Sequence, residues 1–253
     1  MNSHSSESAG SEQPLIGHLI ELRNRLLRIV ISILILFIGL SFYANQIYSL
    51  IAEPLIRFLP ETTSMIAIDV ASPFLTPFKL ALICAIFISM PIILYQFWAF
   101  VAPGLYRHER RLILPLLIFS SVLFYSGVAF AYFVVFPLVF EFLTMAAPAG
   151  VEVMTDISKY LDFVLTLFFA FGVAFEVPIV TIVLVWTGIS TPQSLSEKRP
   201  YVIVAAFVIG MFLTPPDAIS QTLLAIPIWL LFEIGLLLSR LLTRKHTKEE
   251  ILK

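Results

Sequence analysis

The chain has 253 residues, 59% of them hydrophobic and only 13% charged, with a mean hydropathy of +0.95. Soluble domains carry about 25% charged residues, so this composition excludes a soluble globular protein. The charges fall in clusters between apolar runs long enough to cross a bilayer, which points to helices rather than barrel strands. The net charge of −1 hides a strong asymmetry along the chain.

Residues 1–14, rich in Ser and Glu, read as a disordered tail. The polar, acidic start and the lack of a small-residue cleavage site argue for a retained first span rather than a cleaved leader. Next comes the collar His18-Leu-Ile-Glu-Leu-Arg-Asn-Arg25-Leu-Leu-Arg28. As a helix it places His18, Glu21, Arg25 and Arg28 on one face, with Leu15, Leu19, Leu22 and Leu26 supplying apolar contacts.

Six spans follow, at about 26–43, 80–102, 112–136, 163–187, 201–213 and 218–239. The second is expected to bend near Pro91. The third lacks charge, the fourth contains Glu176 and Pro178, and the sixth contains Pro227 and Glu233. Thirteen residues of helix reach only about 20 Å, short of the ~30 Å hydrocarbon core, so the fifth span must extend into its flanks or sit in a thinned bilayer. Residues 241–253 read as a second polar tail, leaving 15–240 as one membrane domain.

Thirteen of the sixteen Lys and Arg residues lie in the N-terminal region, the 103–111 loop, the 188–200 loop and the tail from Arg240. Arg57, Lys79 and Lys159 lie on the opposite side. By the positive-inside rule both termini are therefore cytoplasmic. The two larger outer loops, 44–79 and 137–162, combine prolines, acidic residues and short apolar pieces, and are expected to be structured caps. The fold class is thus an all-α integral membrane protein with six transmembrane helices.

No catalytic signature is present: there is no His-Glu-x-x-His, Gly-x-Ser-x-Gly or phosphate-binding glycine loop. The four histidines lack a second histidine at ligand spacing, and Cys84 stands alone, so no metal site, cofactor or internal disulfide is expected. Glu176 is the carboxylate placed deepest in the membrane, where a charge costs about 2.5–3.5 kcal/mol and marks a functional position by default. Its bland alternative is a protonated side chain bonded to a neighbouring helix. Gln221, with Thr181 or Thr222, could complete a polar patch around it. Asp217 suits the start of the sixth span, since an acidic group is favourable at a helix N-terminus.

At the cytoplasmic surface, positive-inside charge accounts for the arginines but not for the glutamates embedded among them at 21 and 109. Two readings stand open. Glu21 simply pairs with Arg25 one turn on, or Glu21 and Glu109 converge on a cationic ligand, for which guanidinium is apt because it binds carboxylate through a fork. In the second reading the neighbouring arginines must be satisfied elsewhere.

Four motifs occur in order: His18-Leu-x-Glu-Leu-Arg-x-Arg25, Phe100-x-Ala-Pro-Gly-Leu-Tyr-x-His-Glu109-Arg-Arg111, Phe171-Gly-x-x-Phe-Glu176-x-Pro178, and Thr214-Pro-Pro-Asp217 running on to Phe232-Glu-Ile-Gly235. Together they resemble the TatC family of twin-arginine translocase subunits from about residue 14 to residue 240. The resemblance implies a multi-pass protein of the bacterial inner membrane that recognises the paired arginines of signal peptides on folded cargo. It implies signal-peptide contacts at Glu21 and Glu109, with Arg23, Arg25, Phe100 and His108 in the same region. Pro54 and Asp217 match transport-important outer positions. Glu176, Gln221 and Thr222 match a region where the single-span partners TatA and TatB pack. Several copies of the chain in one complex, a phospholipid setting, no nucleic acid and no nucleotide are also implied. The competing reading is a proton-coupled small-solute transporter carrying its proton on Glu176, which predicts two related halves with paired broken helices. No such duplication is visible.

Overall fold

A computed structural model describes residues 9–58, 66–101, 113–139, 156–213 and 218–251. Among these residues the structure is helical, and the one extended pairing is an isolated parallel bridge between Ile66 and Asp156. The helices are α1 (Ala9–Ser41), α2 (Ala44–Phe58), α3 (Ser72–Ile88), α4 (Met90–Val101) and α5 (Ile113–Phe130). A π-helical turn, Ala131–Val135, follows α5. Then come α6 (Ile157–Ala174), α7 (Val177–Trp186), α8 (Pro192–Glu197), α9 (Arg199–Leu213) and α10 (Ala218–Ile251).

Four stretches are long and apolar enough to cross a membrane: Gly17–Ser41, Leu114–Val139, Ile157–Trp186 and Leu224–Leu241. A fifth is the pair α3 and α4, bent by 49°, and the short apolar α9 is a sixth. The fifteen residues of α9 give about 22 Å of helix. Helix extends into the described parts of both stretches expected to be polar tails. α1 begins at Ala9 and α10 continues to Ile251, because extending an existing helix adds a hydrogen bond for each residue ordered, whereas nucleating one is costly.

The chain divides into two compact units: Met1–Ser49 with Pro77–Ile118, and Leu50–Thr76 with Phe119–Lys253. In the first, α1 packs on α4. The bend between α3 and α4 falls at Ser89, two residues before Pro91. Ile92 and Ile93 both donate to the Ser89 carbonyl at 2.9 Å, while Pro91 has no N–H to offer the preceding turn, which frees a carbonyl and kinks the axis. Leu80, Ala81, Ala85, Met90, Leu94 and Trp98 are buried along this bent pair. By contrast Leu19, Leu22 and Leu26 of the collar are exposed. Among the described residues they remain uncovered despite their expected apolar contacts, on a side open to lipid.

In the second unit, glycines set the helix spacing. A Cβ at Gly127 would collide with the Phe171 carbonyl oxygen, and one at Gly172 with the Phe124 ring, so α5 and α6 approach at backbone distance. Phe124 and Phe171 are buried there, and Phe130 packs against Phe171 and Phe175 with ring centroids 5.7 and 5.5 Å apart. The break between α6 and α7 lies at Phe175–Glu176, where Pro178 at the start of α7 removes a donor that Ala174 would otherwise use. α7 ends at Trp186, and Gly188 just beyond it is the one residue with positive φ (72°) among those described, a left-handed stop that glycine adopts without strain. α7 then packs closely on α10, and α9 packs on α10 as a hairpin.

Candidate functional site

The collar is built on α1. Helical periodicity puts Gly17, Ile20, Glu21, Asn24, Arg25 and Arg28 along one open groove. Within it Arg25 donates to Glu21 Oε1 twice, from Nε at 3.0 Å and from Nη2 at 2.6 Å. The predicted one-turn ion pair therefore exists. Arg25 also leaves its own helix: Nη1 donates to Gln96 Oε1 and Nη2 to the Ala99 carbonyl, both at 3.1 Å. His18 stacks on Phe100 with centroids 4.3 Å apart and planes 19° apart. Thus α4 presents an amide, a carbonyl and an aromatic ring to the charged face of α1.

Both Arg25 contacts fall on one oxygen of Glu21, and among the described residues Oε2 has no partner. The Glu21 side chain is 37% exposed, against 19% for Arg25. The carboxylate is thus reachable from outside while the guanidinium is tucked against α4. Arg23, expected in the same region, turns instead to Asn24, at 3.3 Å on the exposed side. Glu109 and His108 lie outside the described residues.

The second candidate, Glu176, caps the broken turn between α6 and α7 and is 9% exposed. Its Oε2 accepts a hydrogen bond from Ser120 Oγ of α5 at 2.7 Å, while Oε1 is buried without a partner among the described residues. Gln221 does not share this site. Ala174 clusters with Ala225 and Ile228, and Pro178 lies against Gly235, so Glu176 is level with α10 between Ile228 and Gly235. Gln221 is at least about 10 Å further along the helix at 1.5 Å per residue; it packs instead near Gly210 of α9. Thr181 donates to its own helix, at the Val177 carbonyl, and Thr222 is exposed. The single polar patch expected around Glu176 is therefore replaced by a Glu176–Ser120 pair and a separate polar position on the α9–α10 hairpin.

A third constellation joins the outer loops. Asp156 caps α6 by accepting from Ser158 and Lys159 N–H, each at 3.0 Å, and its other oxygen accepts from Ile68 N–H at 3.0 Å. Ile157 N–H donates to the Ile66 carbonyl at 3.0 Å, and the Ser158 hydroxyl meets those of Ser72 (2.6 Å) and Thr76 (3.0 Å). The Ile68 amide foremost, with the Lys159 amide, holds the Asp156 carboxyl below its ordinary value. Pro54 lies within α2, and Asp217 lies outside the described residues.

Three partners escaped the sequence: Gln96, Ser120 and Ser158. Gln96 had a signal, since it is the one amide in the apolar run 90–101 and a buried amide requires a hydrogen-bonding partner. Ser120 and Ser158 had none, because serine is unremarkable at such positions.

Comparison with known proteins places this geometry. Residues 17–227 match the family described as Sec-independent protein translocase protein (TatC). The Haemophilus influenzae protein of that name is 60% identical over 94% of this chain and 93% of its own length. That of Escherichia coli K12 is 58% identical over 96% and 94%. A crystal structure described as the twin-arginine translocase receptor TatC superposes with a TM-score of 0.78 at 41% identity, covering 89% of this chain and 99% of that one. A second, in detergent, gives 0.81. With a family match over residues 17–227 and a relative 60% identical over most of its length, this chain belongs to the TatC family of multi-pass protein-translocase subunits.

Proposed function

We propose that this chain is the receptor subunit of a twin-arginine translocation system in the bacterial inner membrane, with both termini cytoplasmic. It recognises paired arginines in the signal peptides of folded cargo and assembles, in several copies, with TatA-type and TatB-type single-span partners. The observation that carries this reading is the collar. Glu21 offers an accessible carboxylate oxygen, and the arginine nearest to it is held by acceptors on α4. Arg25, which would repel a cationic ligand, is thereby paired with Glu21 and anchored on α4. Glu109, on the neighbouring cytoplasmic loop, is the second carboxylate in this proposal. The signal's apolar stretch then follows exposed apolar side chains such as Leu22, Leu26 and Leu34 into the membrane.

Partner docking is proposed at two separate positions, around Glu176 and around Gln221 and Thr222, with Pro54 and Asp217 serving transport on the outer side. This role is one of recognition and assembly, with no covalent step. The solute-transporter alternative predicts two related halves, and the sequence carries no such internal duplication.

The test is binding of a twin-arginine signal peptide to the purified protein in detergent, with a Lys-Lys peptide as control. Glu21→Ala and Glu109→Ala are each expected to weaken Arg-Arg binding by tenfold or more, the scale of one lost charge-assisted hydrogen bond. Unchanged binding in both folded variants would reject the collar as the recognition site.

A further inference from the structure

We infer that Arg25 is a built-in competitor for the incoming guanidinium, parked on Gln96 and the Ala99 carbonyl, and that this arrangement sets the preference for arginine over lysine. The inference rests on the receptor role proposed above and extends it to two residues with distinct tasks.

Geometry supplies the reasoning. A guanidinium has five N–H groups in a fixed fork. Arg25 uses them on Glu21 Oε1 through Nε and Nη2, on Gln96 through Nη1 and on Ala99 through Nη2. Two of these four bonds do not involve Glu21. When a ligand guanidinium takes the carboxylate, Arg25 retains two neutral acceptors on α4, so its N–H groups are not left without hydrogen-bond partners. Exchange at Glu21 is therefore a swap of one guanidinium for another, which keeps the count of charge-assisted hydrogen bonds nearly constant.

A lysine does not make that swap. Its ammonium is a point charge on a strongly hydrated head, without a planar fork. Facing Glu21 already paired with Arg25, it meets a nearly neutral ion pair, and displacing Arg25 replaces two hydrogen bonds to Oε1 by one. The buried Gln96 is essential because it is neutral. A carboxylate there would draw Arg25 off Glu21 altogether, and an apolar side chain would leave Nη1 without an acceptor. Gln96 is thus a positioning residue, acting on the ligand only through Arg25, whereas Arg25 determines specificity.

The experiment measures binding of Arg-Arg and Lys-Lys signal peptides to the detergent-purified full chain for the parent, Glu21→Ala, Arg25→Met and the double variant Arg25→Met/Gln96→Leu. The double variant removes the side chains at both ends of the bond, so it remains informative if the single substitution leaves Gln96 unpaired and the protein misfolded. Removing Arg25 is expected to raise Lys-Lys affinity about tenfold while changing Arg-Arg affinity much less, so the discrimination ratio falls. A role of Arg25 in structure alone would lower both affinities together and leave the ratio where it was; that result overturns the inference. If the ratio stays at its parental value while Glu21→Ala still weakens Arg-Arg binding, the receptor reading stands and the competitor falls. If Glu21→Ala has no effect on Arg-Arg binding, both fall.

Discussion

Gly235 is where a single carbon atom should be felt most. A Cβ at this position would sit 2.7 Å from Pro178 Cα, 3.1 Å from Thr181 Cβ and 3.2 Å from Thr181 Oγ1. Carbon atoms rest at about 3.5–4.0 Å, so Gly235→Ala demands a separation of about 1 Å between α7 and α10. The atom struck belongs to proline backbone at the start of α7 and has no rotamer with which to escape. Overpacking of this kind costs about 1–3 kcal/mol, while replacing a mid-helix glycine by alanine returns about 0.8–1.0 kcal/mol of helix propensity. The rigid backbone contact makes the clash the larger effect, with a net loss of up to about 2 kcal/mol, or up to about 8 °C in midpoint for a chain of this size. Gly39 in α1 is the internal control: nothing lies within 4 Å of its Cβ position, so Gly39→Ala keeps only the propensity gain. Thermal unfolding in one detergent, followed by circular dichroism, should show Gly235→Ala falling below the parent and Gly39→Ala level with it or above. Equal midpoints for the two variants would refute the close backbone contact.

Other outcomes follow from single atoms. Ser89 Oγ is buried with no hydrogen-bond partner among the described residues, so Ser89→Ala should preserve or raise stability by up to about 1 kcal/mol, checked in the same melting assay. Asp156→Ala removes a helix cap and the tie to Ile68 together, and should increase hydrogen exchange at the Ile68, Ser158 and Lys159 amides. Because the folded Asp156 carboxyl titrates below its ordinary value, its stabilisation is complete above about pH 4 and fades as pH falls through that lowered value. An Asp156→Asn variant should flatten the acid limb of a stability–pH curve. Arg199 and Glu233 approach to 2.6 Å between α9 and α10; Arg199→Ala should raise proteolysis of the α9–α10 hairpin, and Arg199→Ala/Glu233→Leu should restore part of the protection, since a lone charge left behind costs more than an absent pair.

The chain by itself determined the class of molecule and its longitudinal plan. Apolar runs, clustered charges and prolines dictate which segments enter a bilayer and where they break. The kink beside Pro91 was legible because a missing N–H acts locally, whatever surrounds it, whereas the break at Phe175–Glu176 was not foreseen in a span read as continuous. The ion pair of Glu21 with Arg25 was equally legible, since residues four apart on a helix are neighbours without any tertiary contact. Tertiary structure decided everything that depends on which helix lies beside which. It brought Gln96 and Ala99 to Arg25, Phe100 to His18, and Ser120 to Glu176, and it separated Gln221 from Glu176 by depth along α10. Spacing along one helix fixes a face and a height only. The partner across the gap is chosen by packing, in the second unit by glycines that let backbones touch, and those contacts have no periodicity to read.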